Sequence, residues 1–136
     1  MHPYCFPALP GETQTWSGWT QMQAVESIMV AKGDAAKQIW ITEFGAPTDG
    51  PGAEATLASR QYSSSPDHVD QDFQAQTVTS GLTFAERHTW IHSIAWYSIE
   101  DLGSDASNSG DWYGLLTISG APKAAYTAWV NITGGH

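Results

Sequence analysis

The sequence predicts an α/β fold with parallel strands, and three observations carry that expectation. Two short runs, 38–44 and 92–98, are rich in Ile, Trp, Phe and Tyr, residue types that favour strands. Segments with helical periodicity stand before, between and after them. The resulting order of strand, helix, strand and helix implies a parallel sheet with right-handed crossovers. The 136 residues show no internal repeat and no second domain.

Each element has its own signals. The first residues are loop-like, with Pro3, Pro7, Pro10 and Gly11. Ser17 is placed to cap a helix from Gly18 to about Lys32. Trp19, Met22, Val25, Ile28 and Met29 recur at three- and four-residue spacing, which predicts one apolar face. Gly33 suits the helix stop. The strand 38–44 ends on Glu43 and Phe44, then breaks at Gly45-Ala46-Pro47. Residues 45–66 form a long Gly/Pro/Ser-rich loop, and loops of that length inside a domain are usually functional or disordered. Asp67 and Asp70 open a second helix that runs to about Glu86, with acid groups favourable at its start. A second loop, 100–115, is rich in Asp, Ser and Gly. Pro122 suits the first turn of a final helix carrying Tyr126, Trp129 and Val130, with Gly134 and Gly135 at its end.

Strand alternation predicts the faces. With Glu43 on the inner face of the sheet, Ile39 and Ile41 share that face, and Trp40, Thr42 and Phe44 turn to the helices. With Trp96 inward, Ile94 and Ser98 are inward too, and Ser93, Ala95 and Tyr97 turn to the helices.

Composition narrows the function classes. The formal net charge is −9, from 14 acidic and 5 basic side chains. That balance argues against nucleic acid and anionic membrane as partners, since both demand a Lys/Arg surface. Cys5 is the only cysteine, so no intrachain disulfide forms. The sequence shows neither a transmembrane run nor a signal-peptide pattern. Seven Trp residues serve burial or present faces on which sugar C–H groups pack.

Glu43 is the leading candidate for chemistry. A lone Glu at the tip of an apolar strand is unfavourable to bury unless something pairs with it. The mouth of a parallel sheet is where α/β barrels keep their catalytic groups. His88 and His92 have the i, i+4 spacing of helical metal ligands, but no third ligand accompanies them. No metal and no cofactor is expected. Glu100 and Asp101 follow the second strand as possible substitute acids, although a solvated or capping role is the simpler expectation.

Four short motifs occur in order: His2-Pro3-Tyr4, Thr42-Glu43-Phe44-Gly45, Ile94-Ala95-Trp96-Tyr97, and Gly120-Ala121-Pro122-Lys123-Ala124-Ala125-Tyr126. The series resembles the C-terminal part of clan A (β/α)8-barrel glycoside hydrolases, especially the cellulase-like family 5 and family 39. The resemblance implies a partial (β/α)8 TIM barrel over residues 1–136, covering about the last two to three β/α units. It implies that Glu43 is the nucleophile ending strand seven, and that His2 and Tyr4 end strand six with Tyr4 orienting the nucleophile. It implies Trp96 on strand eight as the floor of a sugar subsite. Trp112 and Tyr113, in the last long loop, either line a subsite or pin the loop. The clan's acid/base Glu ends strand four, usually after an Asn, and no Asn-Glu pair occurs in this sequence. A complete barrel needs ~250 residues, so strands one to five are expected to precede Met1.

Two functions follow from the resemblance. One is retaining hydrolysis of β-linked polysaccharide or oligosaccharide, with the acid/base supplied from the N-terminal barrel half. The other is a catalytically inactive barrel fragment that self-associates or binds carbohydrate. An unrelated acidic α/β binding domain is a distant third. The expected partners are carbohydrate and either further copies of the chain or the missing barrel half, drawn to the apolar face expected to carry Ile39, Ile41 and Ile94. Family members are often secreted, and the compartment of this chain stays open.

Overall fold

The computed structural model describes residues 1–60 and 66–134. Residues 61–65 of the first long loop, and Gly135 at the expected end of the last helix, lie outside the described residues. Helix α1 spans Gly18–Ala31, capped by Ser17, whose Oγ accepts from the Trp19 amide at 3.3 Å. Strand β1 spans Ile39–Phe44. Within the first long loop, β2 (Glu54–Ala55) and β3 (His68–Val69) form a small parallel pair. Strands of two residues leave no periodicity to read, and nothing in the local sequence marks them.

Helix α2 spans Gln71–Arg87 and begins at Asp70, whose carboxylate accepts from the Phe73 amide at 2.7 Å. Strand β4 covers Ile91–Trp96, and a 3₁₀ turn covers Ser109–Trp112. Helix α3 spans Ala124–Thr133, so Pro122 precedes the helix and Lys123 is its N-cap. Gly134 ends it at φ 77°, in the left-handed region that favours glycine.

Strands β1 and β4 pair in parallel, as the strand–helix–strand order requires. The start of the chain lies along the other edge of β1. The Thr42 amide donates to the Met1 carbonyl at 3.1 Å, and the Met1 amine donates to the Trp40 carbonyl.

The core sits between this sheet and the helices. Ile39, Ile41, Phe44 and Ile91 pack with Trp19 and Met22 of α1 and Phe84 of α2. A second cluster joins Val78 and Leu82 of α2 to Leu115 and Ala125, with Ile94, Trp96 and Trp129 against it. At Gly81, a Cβ would lie 2.4 Å from the Phe44 ring, so a glycine there lets α2 approach β1 closely.

These contacts correct the predicted faces. Ile39 and Ile41 are buried against the helices, while Trp40 (56% exposed) and Thr42 lie on the open side. Phe44 does face the helices, so the strand's phase shifts by one residue between Ile41 and Phe44, where its pairing with β4 is irregular. A bulge of this kind puts two successive residues on one side. On β4, Ile94 and Trp96 turn to the helices rather than inward. The apolar face expected along α1 is only half used. Trp19 and Met22 are buried and Met29 packs partly buried against the core, but Val25 and Ile28 are exposed.

Candidate functional site

Glu43 stands at the C-terminal end of β1 with its side chain 37% exposed. The phase shift that buries Phe44 leaves Glu43 beside the edge where residues 1–4 lie. The Tyr4 hydroxyl donates to Glu43 Oε2 at 3.1 Å. His2 Nδ1 is 3.4 Å from the same oxygen, and His2 Nε2 is 3.0 Å from Thr42 Oγ1. The structure therefore brings His2, Tyr4 and Glu43 together, and backbone bonds between residue 1 and β1 hold their segment there.

Burial first, then the hydrogen bond to Glu43 and its negative charge, pushes the Tyr4 phenol well above its ordinary value. Tyr4 thus keeps its proton at all ordinary pH values and remains a donor to the carboxylate. Tyr113 packs edge-on against Tyr4, with ring centroids 5.9 Å apart, and burial pushes its phenol up to about 12. Tyr97 packs on Tyr113 at 5.6 Å. Three tyrosines, from the chain start, the last loop and just past β4, therefore lie in a row of ring contacts that begins at the carboxylate with Tyr4.

Trp96 does not belong to this group. Its ring meets Phe44 edge-on at 4.9 Å, and its indole N–H donates to the Tyr113 carbonyl at 2.9 Å. The expected sugar platform is instead a residue of the helix-side core, because β4 has the opposite phase from the one alternation predicted. Tyr97, the next residue, takes the open side, and sequence reasoning missed it. The pairing W-Y in the motif was visible, but which of the two faced the site was not. Gly45 completes the arrangement: a Cβ there would lie 2.6 Å from the Tyr97 carbonyl and 3.1 Å from the Tyr113 ring.

Trp112 is taken up within its loop. Its indole donates to the Asp105 carbonyl at 3.1 Å, and its own carbonyl accepts from the Thr48 amide at 3.1 Å. Below it lies a buried ion pair. Lys123 Nζ contacts Asp101 Oδ1 at 2.6 Å, with side chains 3% and 1% exposed, and also donates to Thr48 Oγ1 and the Trp112 carbonyl. Burial lowers the Lys123 pKa, and the hydrogen bond and charge of Asp101 oppose that shift. Asp101 Oδ1 also accepts from the Gly114 amide at 2.8 Å, one residue from Tyr113. Asp101 is thus a clamp for the loop and not a substitute acid.

His88 and His92 do not form a ligand pair. His88 caps α2, bonding the Phe84 carbonyl through Nδ1, whereas His92 lies on β4 and stacks on Trp40. Among the described residues no group of three or more His, Cys, Asp or Glu is arranged to hold a metal ion.

Solved structures share this arrangement of elements. A family 39 glycoside hydrolase from Bacteroides cellulosilyticus superposes with a TM-score of 0.63 at 20% identity, over 96% of this chain and 25% of that one. The chain has a glycoside-hydrolase-like fold. A GH2 β-galacturonidase from Eisenbergiella tayi, bound to galacturonate, matches with a TM-score of 0.61 at 16% identity over 96% of this chain and 22% of that one. A GH5_18 enzyme from Streptomyces cattleya, in complex with GlcNAc, matches with a TM-score of 0.54 at 22% identity over 88% and 26%. The chain spans about a quarter or less of the length of these structures. Neither a family model nor a curated protein sequence matches it.

Proposed function

We propose that residues 1–136 form the last two to three β/α units of a (β/α)8 barrel and carry the nucleophile side of a retaining β-glycosidase site. Glu43 attacks the anomeric carbon as the C–O bond to the leaving group breaks, and Tyr4 orients the attacking carboxylate. His2 and Tyr113 contact the sugar, with Tyr97 in the place first assigned to Trp96, and Trp112 stands at the outer edge. One observation carries this reading: a strand-end carboxylate on the open side of the sheet, held by the phenol of Tyr4 at 3.1 Å. Retaining hydrolysis needs a second carboxyl about 5–5.5 Å away to protonate the leaving oxygen. In this reading that group comes from a part of the barrel outside these 136 residues.

The test separates the two carboxyl roles. An aryl glycoside with a dinitrophenolate leaving group needs little protonation, so a nucleophile alone suffices to break its bond. The chain should release dinitrophenolate from such a β-glycoside at a trace rate, should ignore simple alkyl glycosides, and should lose the trace in Glu43→Gln. A rate that survives Glu43→Gln overturns the assignment.

A second reading, a catalytically inactive fragment that associates with further copies or with the missing barrel half, rests on a different observation. An apolar groove of about 580 Å³ runs along the free edge of β4, lined by Ile94, Trp96, Ile99, Leu115, Tyr126 and Trp129. Unpaired strand edges and apolar patches favour association. A compact monomer in sedimentation at high micromolar concentration counts against it.

A further inference from the structure

We propose that the polar groove between α1 and α2, remote from Glu43, binds a carboxylated sugar. The two helices meet through Trp19 and Phe84, whose ring centroids are 5.1 Å apart. Beside that contact a groove of about 490 Å³ stays open, within the size range of small-molecule sites. Its walls carry uncharged hydrogen-bonding groups: Gln23 from α1, and Gln76, Ser80 and Thr83 from α2. The side-chain polar groups of Gln23 and Thr83 have no hydrogen-bond partner among the described residues. Gln76 donates to Ser80 Oγ at 3.2 Å, which leaves its carbonyl and the Ser80 proton available. Phe84 lines the groove but is itself buried, with His88 stacked on its ring, so the groove binds through its polar walls.

The end of the groove supplies charge. Arg87 lines it, and among the described residues Arg87, like Lys32, has no ion-pair partner, whereas Lys37, Arg60 and Lys123 are paired. In a chain of net charge −9, Arg87 is one of five basic side chains, and it stands beside a row of amides and hydroxyls. His88 closes the same end. Its ring stacks on Phe84 at 3.9 Å and its Nδ1 bonds the Phe84 carbonyl, so its Nε2 edge is left over. A neutral sugar uses the walls and leaves the guanidinium idle. A simple carboxylate uses the guanidinium and leaves the walls idle. A sugar acid engages both, and Arg matches a carboxylate bidentately.

Titrating the isotope-labelled full chain with D-glucuronate, D-glucose and acetate, followed by amide shifts in NMR, tests this. Glucuronate should give saturable shifts centred on residues 76–88, with affinity roughly tenfold above glucose and above acetate, the scale of one charge-assisted contact. Arg87→Gln should reduce glucuronate to the glucose level and leave glucose unchanged. The pair Gln23→Ala and Thr83→Val should weaken both sugars and spare acetate. Only the shifts at residues 76–88 are read, so any sugar bound beside Glu43 is scored separately and the outcome is independent of the proposed catalytic role. The proposal is overturned by the absence of saturable shifts with glucuronate. Equal affinity for acetate and glucuronate, or shifts centred on Tyr4, Tyr97 and Tyr113 that ignore Arg87→Gln, overturn it equally.

Discussion

Replacing Lys123 by Met isolates the contribution of the buried clamp under the candidate site. The ammonium and the Asp101 carboxylate are 2.6 Å apart and almost wholly withdrawn from water. Met fills a similar volume but leaves Asp101 with a single donor, the Gly114 amide, and its Oδ2 has no hydrogen-bond partner as it stands. Removing one partner of a buried pair leaves an uncompensated charge, which destabilises by about 3–5 kcal/mol. With an unfolding entropy of ~2.1 cal/mol/K per residue, a chain of this length should lose roughly 10–17 °C in Tm. The double variant Lys123→Met/Asp101→Asn removes the stranded charge and should recover at least half of that loss. Thermal and urea unfolding of the wild type, both single variants and the double variant give the coupling energy directly. A loss below about 1 kcal/mol for Lys123→Met, the scale of an exposed pair, would refute the claim that this pair is buried and that its charges depend on each other.

Three further outcomes are expected. Gly45→Ala places a methyl 2.6 Å from the Tyr97 carbonyl, which should destabilise by about 1–3 kcal/mol and lower any Glu43-dependent rate, read by thermal melts and dinitrophenolate release. Trp96→Ala should remove about 3 kcal/mol by opening a core cavity, whereas Tyr97→Ala should cost much less stability and act on the Glu43-dependent rate; the reverse pattern in paired melts and rates would reinstate Trp96 as the platform. For Tyr4 the folded-state pKa is raised, so its contribution is complete below the unfolded value near 10 and is lost progressively as pH rises from there towards the raised folded-state value. Tyr4→Phe should therefore show a flatter loss of stability than the wild type in urea melts between about pH 9 and 11.

The elements themselves were largely legible in the sequence. Ser17, Asp70 and Gly134 mark helix ends by chemistry that acts within a few residues, so local sequence suffices to find them. The motif His-x-Tyr followed by Thr-Glu-Phe-Gly pointed to a contact that the fold makes between residues 39 positions apart. What the sequence concealed was phase. A period of two assigns Ile41 and Glu43 to the same face, and only the pairing with β4 shows that one residue is out of step. The same error placed Trp96 in the site and Tyr97 in the core. The buried pair of Asp101 and Lys123 was hidden for another reason. Either residue alone reads as a solvated charge, and their meeting depends on the path of the loop between them.

The phase shift in β1 also separates two kinds of evolutionary change. Upstream of it, Ile39 and Ile41 answer only to the packing of the helices behind the sheet, and can drift among apolar residues of similar bulk without turning the carboxylate. Downstream, Glu43 and Phe44 are neighbours with opposite obligations, one to the open side and one to the helices. Point substitutions are therefore absorbed on either side, but the loss or gain of a single residue between 41 and 44 is not. It would swap the two obligations at once, sending a carboxylate into the core and an aromatic ring into the site. Length within those four positions should be far more strictly preserved than identity across the rest of the strand.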